Sequence, residues 1–135
     1  MRETITIHSA SREELIDITD NVKRVVANIG TENGIISLYA QGATAALMIQ
    51  ENWDPSVPTD VVNFLQKLIP RGVWLHDKQD GNGDSHLKAG LIGPSETIPI
   101  IDGKLGLSQW QNIFFCEFDG PRQGRKIVCT IIPDR

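Results

Sequence analysis

Two histidines, His76 and His86, flank the polar turn D-G-N-G-D-S, and beyond it the chain is dense in groups that bind ligands or move protons: Lys88, Ser95, Gln111, Glu117, Asp119 and Arg122. A chain reversal at the turn would bring both imidazoles together with Asp84. Two ring nitrogens and a carboxylate are a fair ligand set for a divalent ion, zinc or magnesium, although the spacing matches none of the standard zinc motifs. The same rings suit general acid or base work, and two histidines satisfied by hydrogen bonds are the plainer alternative. The turn also exposes backbone N–H groups where a helix is expected to begin. With the helix dipole they would make a seat for an anion, completed by Lys88, Ser95 and Arg122.

Alternation along residues 110 to 119 puts Gln111, Glu117 and Asp119 on one face of a strand. That face carries two carboxylates one step apart. Arg122 follows in the stiff turn D-G-P-R, where it would either hold them ionised or offer phosphate a two-pronged clamp. A surface ion pair at a hairpin is the competing reading.

The elements that must position these groups are legible from periodicity. T-I-T-I at 4 to 7 is a short strand, with His8 at its end. Ser11 and Glu14 form a capping box ahead of Leu15, Ile18, Val22, Val25 and Ile29, predicting a helix up to Gly30. I-I-S-L-Y-A-Q and T-A-A-L-M-I-Q are strands around Gly42, either a hairpin or a bend. A second helix is predicted from Pro58, Thr59 or Asp60 to Ile69. G-V-W-L-H reads as a strand delivering His76, and 86 to 93 as a short helix capped by Asp84 or Ser85, with a strand as the alternative. T-I-P-I-I with its D-G turn, W-Q-N-I-F-F-C-E-F-D and R-K-I-V-C-T-I-I are strands, the last two joined by a hairpin at Asp119 to Gly124. The expectation is one α+β domain over residues 1 to 135. It has a strand-rich mixed or antiparallel sheet or sandwich, two main helices and a short third.

Composition sets bounds. The chain has 135 residues, 13 basic against 17 acidic, so nothing in the charge balance asks for nucleic acid or an anionic membrane. No apolar run approaches the ~20 residues of a membrane span, and no signal-peptide pattern opens the chain. A soluble cytoplasmic protein is expected. Cys116 and Cys129 lack metal or disulfide-scaffold spacing and read as core thiols.

The blocks S-E-T-I-P-I-I-D-G-K-L-G-L-S-Q-W-Q-N-I and E-F-D-G-P-R resemble the signature of the YjbQ-like proteins, a family also labelled secondary thiamine-phosphate synthase. G-N-G-D-S-H-L-K-A and A-T-A-A-L-M-I-Q-E-N extend the resemblance over roughly residues 35 to 133. It implies an α+β fold assembled as a homotrimer, a polar cluster near subunit boundaries, a phosphorylated small-molecule ligand and a weak thiamine-phosphate synthase activity. His76, Asn82, His86, Ser95, Trp110, Gln111, Glu117, Asp119 and Arg122 match the family pattern. Asn82, Gln111 and Thr44 thereby join the expected anion-binding group, and His76, His86, Glu117 and Asp119 the expected catalytic one. Gly42, where many members have histidine, Asp84, where a further histidine is common, and Ser108-Gln109 depart from it. A three-histidine metal site is therefore not expected.

Overall fold

The computed structural model describes residues 1–135. In chain order the elements are β1 (Arg2–Ile7), β2 (Glu14–Asp17), α1 (Thr19–Ile29), β3 (Gly34–Ala40), β4 (Ala45–Gln50) and α2 (Ser56–Leu68). A 3-10 turn (Leu75–Lys78), α3 (Gly83–Ile92), β5 (Ser95–Ile101), β6 (Lys104–Leu105), β7 (Asn112–Glu117) and β8 (Arg125–Pro133) complete it. The strands make a large sheet in the order β1-β8-β3-β5-β6 and a small one in the order β2-β7-β4, and every pairing is antiparallel. The expected α+β class holds, in its sandwich form.

Layering follows from which strands are apolar on both faces. Leu47 of β4 and Ile113 and Phe115 of β7 face the large sheet, where they pack with Ile36, Leu38, Ile98, Ile127 and Ile131. Val22, Val25 and Val26 of α1 close that core. The alternate residues Ala46 and Cys116 face the other way, onto Leu65 of α2 and Ala89 of α3. A strand covered on both sides reads as a continuous apolar run. β7 is such a run, with Ile113 to Cys116 all at 0–1 % exposure. Each large side chain buried there contributes about 1.5 to 3 kcal/mol. Both cysteines are free and buried, one in each core, and burial pushes the Cys116 thiol up to about 12 and that of Cys129 up to about 11.

Several expectations need correction. The first helix begins only at Thr19, because Leu15 and Ile16 are strand residues paired with Cys116 and Phe115. The Glu14 carboxylate does accept the N–H of Ser11 at 2.7 Å, but it closes a turn and starts no helix. Pairing wins over helical spacing there because it covers the edge of β7. α2 begins at Ser56, where Asp54 accepts the Ser56 N–H and hydroxyl. Pro58 sits in its first turn, where a missing N–H costs nothing. No strand forms at Gly72 to His76. Val73 and Leu75 stand 67 % and 88 % exposed, and Asp77 accepts the Trp74 N–H to start the 3-10 turn. The short third helix forms as expected, but from Gly83.

The hairpin expected at Asp119 to Gly124 does not form, and Gly42 marks neither a hairpin nor a bend within one strand. β3 and β8 belong to the large sheet, while β4 and β7 belong to the small one, so the segments around Gly42 and Gly120 are crossings between sheets. At the second crossing Gly120 donates to the Arg12 carbonyl, and a Cβ there would lie 2.2 Å from the Ser11 oxygen. Only glycine lets the chain through.

Candidate functional site

α3 and the preceding 3-10 turn bring the two histidines together. Their ring centroids are 4.8 Å apart and meet edge to face at 85°. Nε2 of His76 lies 3.4 Å from Asp80 Oδ2. His86 also lines an open cavity of about 530 Å3 between α3 and residues 39–45.

Asp84 is not brought to the rings. It is fully buried, with Oδ1 3.0 Å and Oδ2 3.2 Å from the Arg12 guanidinium and Oδ2 2.8 Å from Lys88 Nζ. Burial works to raise this carboxyl, but the bonds from Arg12 and Lys88 outweigh it and hold the group below its ordinary value. Lys88, at 1 % exposure, also reaches Glu13 at 2.6 Å. Two acids and two bases thus close on one another. The expected ligand set His76, His86 and Asp84 is dispersed, and no group of three His, Cys, Asp or Glu side chains is gathered for an ion. Two imidazoles alone fall short of a zinc or magnesium site.

The anion seat expected at the start of α3 already has an occupant. Asp77 accepts the Gly83 N–H at 2.8 Å and the Trp74 N–H at 2.9 Å. The bond from Trp74 and then that from Gly83 draw its carboxyl below the ordinary value.

Glu117 and Asp119 have parted company. Glu117 is fully buried and accepts from Ser9 Oγ at 2.7 Å, from Nε of Arg125 at 3.0 Å, from Nη2 of Arg125, and from the Asp119 N–H at 3.0 Å. Desolvation pushes its carboxyl up, and these bonds, led by Arg125, bring it down past the ordinary value. Glu117 is therefore held by Arg125 and is no partner of Arg122. Thr44 belongs to the same cluster, its hydroxyl accepting from Arg125 at 2.8 Å. Asp119 instead accepts from Asn82 Nδ2 at 2.8 Å and from Arg122 Nη2 at 2.8 Å. Arg122 is 47 % exposed, and its Nε also donates to the Asp119 carbonyl, so the fork expected to clamp phosphate is turned onto its neighbour. Oδ1 of Asn82 is buried and has no partner. Gln111 lies outside this group and accepts the Ser108 N–H, and Ser95 opens β5 on the exposed side of the large sheet.

The arrangement thus holds one open pair of imidazoles, His86 of which lines a cavity, set among buried ion pairs. Residues 3–134 match the family described as UPF0047 protein YjbQ-like. The chain belongs to that family. A UPF0047 protein of Methanocaldococcus jannaschii is 45 % identical over 129 residues, 96 % of this chain and 92 % of that protein. Bacillus subtilis YugU, another UPF0047 protein, is 36 % identical over 125 residues, 90 % of this chain and 92 % of its own. Among solved structures, a YbjQ-like protein of unknown function from Sulfolobus solfataricus superposes with a TM-score of 0.95 at 33 % identity, covering 99 % of this chain and 97 % of that one.

Four residues of this UPF0047 site escaped sequence reading. Arg12 and Glu13 lie between Ser11 and Glu14, inside the predicted capping box, where charged residues read as the exposed first turn of a helix. Ser9 gave no signal. Arg125 did give one: it falls in step with the core positions Ile127, Cys129 and Ile131 of β8, and an arginine at a core position needs a buried partner.

Proposed function

We propose that this family member acts on a phosphorylated small molecule held in the cavity beside His86. The pairing of His76 with His86 carries the reading: His86 faces a space large enough for a small metabolite, and His76 fixes its ring. His86 is the group that gives or takes a proton, and His76, near Asp80, orients it. Asp119 supplies negative charge next to Asn82, whereas Glu117 acts as scaffold. The reaction suggested by family resemblance is a weak thiamine-phosphate synthase transfer. Closed eight-fold α/β barrels run to about 250 residues, so this shorter sandwich would perform that transfer on different architecture, as a side reaction of another activity.

A homotrimer completes the proposal. Ile35, Tyr39, Ile101 and Ile132 stand exposed on the outer face of the large sheet, and Trp53 packs against Trp110 in the open, which supports a covering neighbour. Light scattering should then give three times 14.9 kDa, and a monomeric mass would remove this part.

The test is His86→Asn assayed for diphosphate release from the thiamine-phosphate synthase substrates. Turnover should fall by about a hundredfold or more, with ligand affinity within tenfold of the wild type. A second reading, a binding module without turnover, is favoured by the engagement of both Glu117 and Asp84 in ion pairs. It predicts that the wild type binds phosphorylated ligands and releases no diphosphate.

A further inference from the structure

The crossing between β3 and β4 leaves hydrogen-bond donors unused. Gln41 donates its N–H to the Lys126 carbonyl, but the N–H groups of Gly42, Ala43 and Thr44 find no acceptor in the chain. Thr44 is 4 % exposed, and a buried N–H without a partner is rare in folded proteins because it forfeits a hydrogen bond it had in water. Arg125 keeps a free donor as well, one open to solvent rather than sealed in. Its side chain is 8 % exposed, Nε and Nη2 are spent on Glu117 and Thr44, and Nη1 has no acceptor. That nitrogen lies 2.8 Å from where a Cβ on Gly42 would be, so it comes up against the crossing at the one residue whose lack of a side chain admits it. Gly42 and Ala43 line the cavity whose other wall is His86, Ala89 and Gly90 of α3.

We propose that residues 42–44 and Arg125 Nη1 form a seat for one phosphoryl group, with the organic part of the ligand lying toward His86. The proposal rests on the reading that the His86 cavity takes a phosphorylated molecule, and it says where the phosphate goes. Three N–H groups and the two hydrogens of Nη1 are five donors. A carboxylate offers about four acceptor positions, whereas a phosphoryl group has three oxygens to share among five donors. The ion pair with Glu117 holds the guanidinium plane in advance, so little ordering remains to be done on binding. The placement also separates this seat from the start of α3, where Asp77 already takes the Gly83 N–H.

The experiment follows amide resonances of the full-length protein while inorganic phosphate, and separately acetate, is added at constant ionic strength. Saturable shifts centred on Gly42, Ala43 and Thr44, with phosphate bound at least tenfold more tightly than acetate, are the expected result. Gly42→Ala sets a methyl group 2.8 Å from Nη1, close enough that the guanidinium must shift, and should weaken phosphate at least tenfold; Arg125→Lys, which removes Nη1 and keeps the charge, should weaken it as well. Shifts confined to residues 82–88 or to Arg122 would overturn the seat and leave the phosphorylated-ligand reading standing. Absence of any shift would remove both. Strong exchange protection of the 42–44 amides in phosphate-free protein would overturn the seat as well, since a neighbouring chain would then be using those donors.

Discussion

The cluster around Asp84 and the Arg125–Glu117 pair beside the crossing at Gly42 are both buried, polar and built on an arginine, yet they are opposites. In the first, Arg12, Glu13, Asp84 and Lys88 pair two positive with two negative groups, and the Asp84 oxygens are all taken. In the second, one guanidinium nitrogen and three backbone N–H groups are left over after the internal bonds are made. Polar burial alone does not distinguish scaffold from site. The distinction lies in whether the bonding capacity is used up.

Breaking the closed cluster should produce the largest effect. Asp84→Ala would leave Lys88 and Arg12 with Glu13 as their one remaining counter-charge, and removing one partner of a buried pair costs about 3 to 5 kcal/mol. Urea unfolding measures this directly. A loss below about 1 kcal/mol would mean that the cluster is hydrated and loosely held, and the contrast with the crossing would collapse.

Acid should act next. The carboxyls of Asp84 and Glu117 titrate below their ordinary values in the folded chain, so their contribution to stability is complete above the unfolded values near pH 4 and is lost as pH falls through the lower folded ones. The melting temperature should therefore hold between pH 7 and 5 and drop below about pH 4. In Asp84→Asn the acid slope should be shallower. An unchanged slope would assign the acid sensitivity to other carboxylates.

The framework was legible wherever one period ran without competition. Val22, Val25 and Ile29 gave α1, and the alternation from Arg125 to Ile131 gave β8. It failed where one stretch served two periods. Leu15 and Ile18 continue the helical spacing of α1 backwards, and only the open edge of β7, distant in sequence, decides that residues 14–17 are a strand. Sheet membership is likewise invisible locally: T-A-A-L-M-I-Q follows β3 at hairpin distance, yet its two apolar faces reveal a middle layer that no neighbour in sequence announces. For the site, nearness along the chain brought His76 and His86 together correctly and joined Asp84 to them wrongly. Asp84 and His86 are two residues apart on α3, which sets their side chains about 200° apart around the helix. That geometry sends one toward the core and the other toward the cavity.

Arg122 sharpens the comparison at its smallest scale. Like Arg125 it pairs with a carboxylate of the 117–119 segment, but in the open: its side chain is 47 % exposed, against 8 % for Arg125. An exposed pair contributes little because water competes for both partners, so Arg122→Ala should cost about 1 kcal/mol or less in unfolding free energy. Its fork faces Asp119, and a phosphate would have to displace that carboxylate to use it. Calorimetric titration of inorganic phosphate should accordingly show less than a threefold change in affinity for Arg122→Ala, beside the tenfold or greater loss for Gly42→Ala. The reverse order would make Arg122 the clamp that its place in D-G-P-R first suggests. Asp119 would then be a gate that opens for the ligand, and the unused donors at Gly42 would need another explanation.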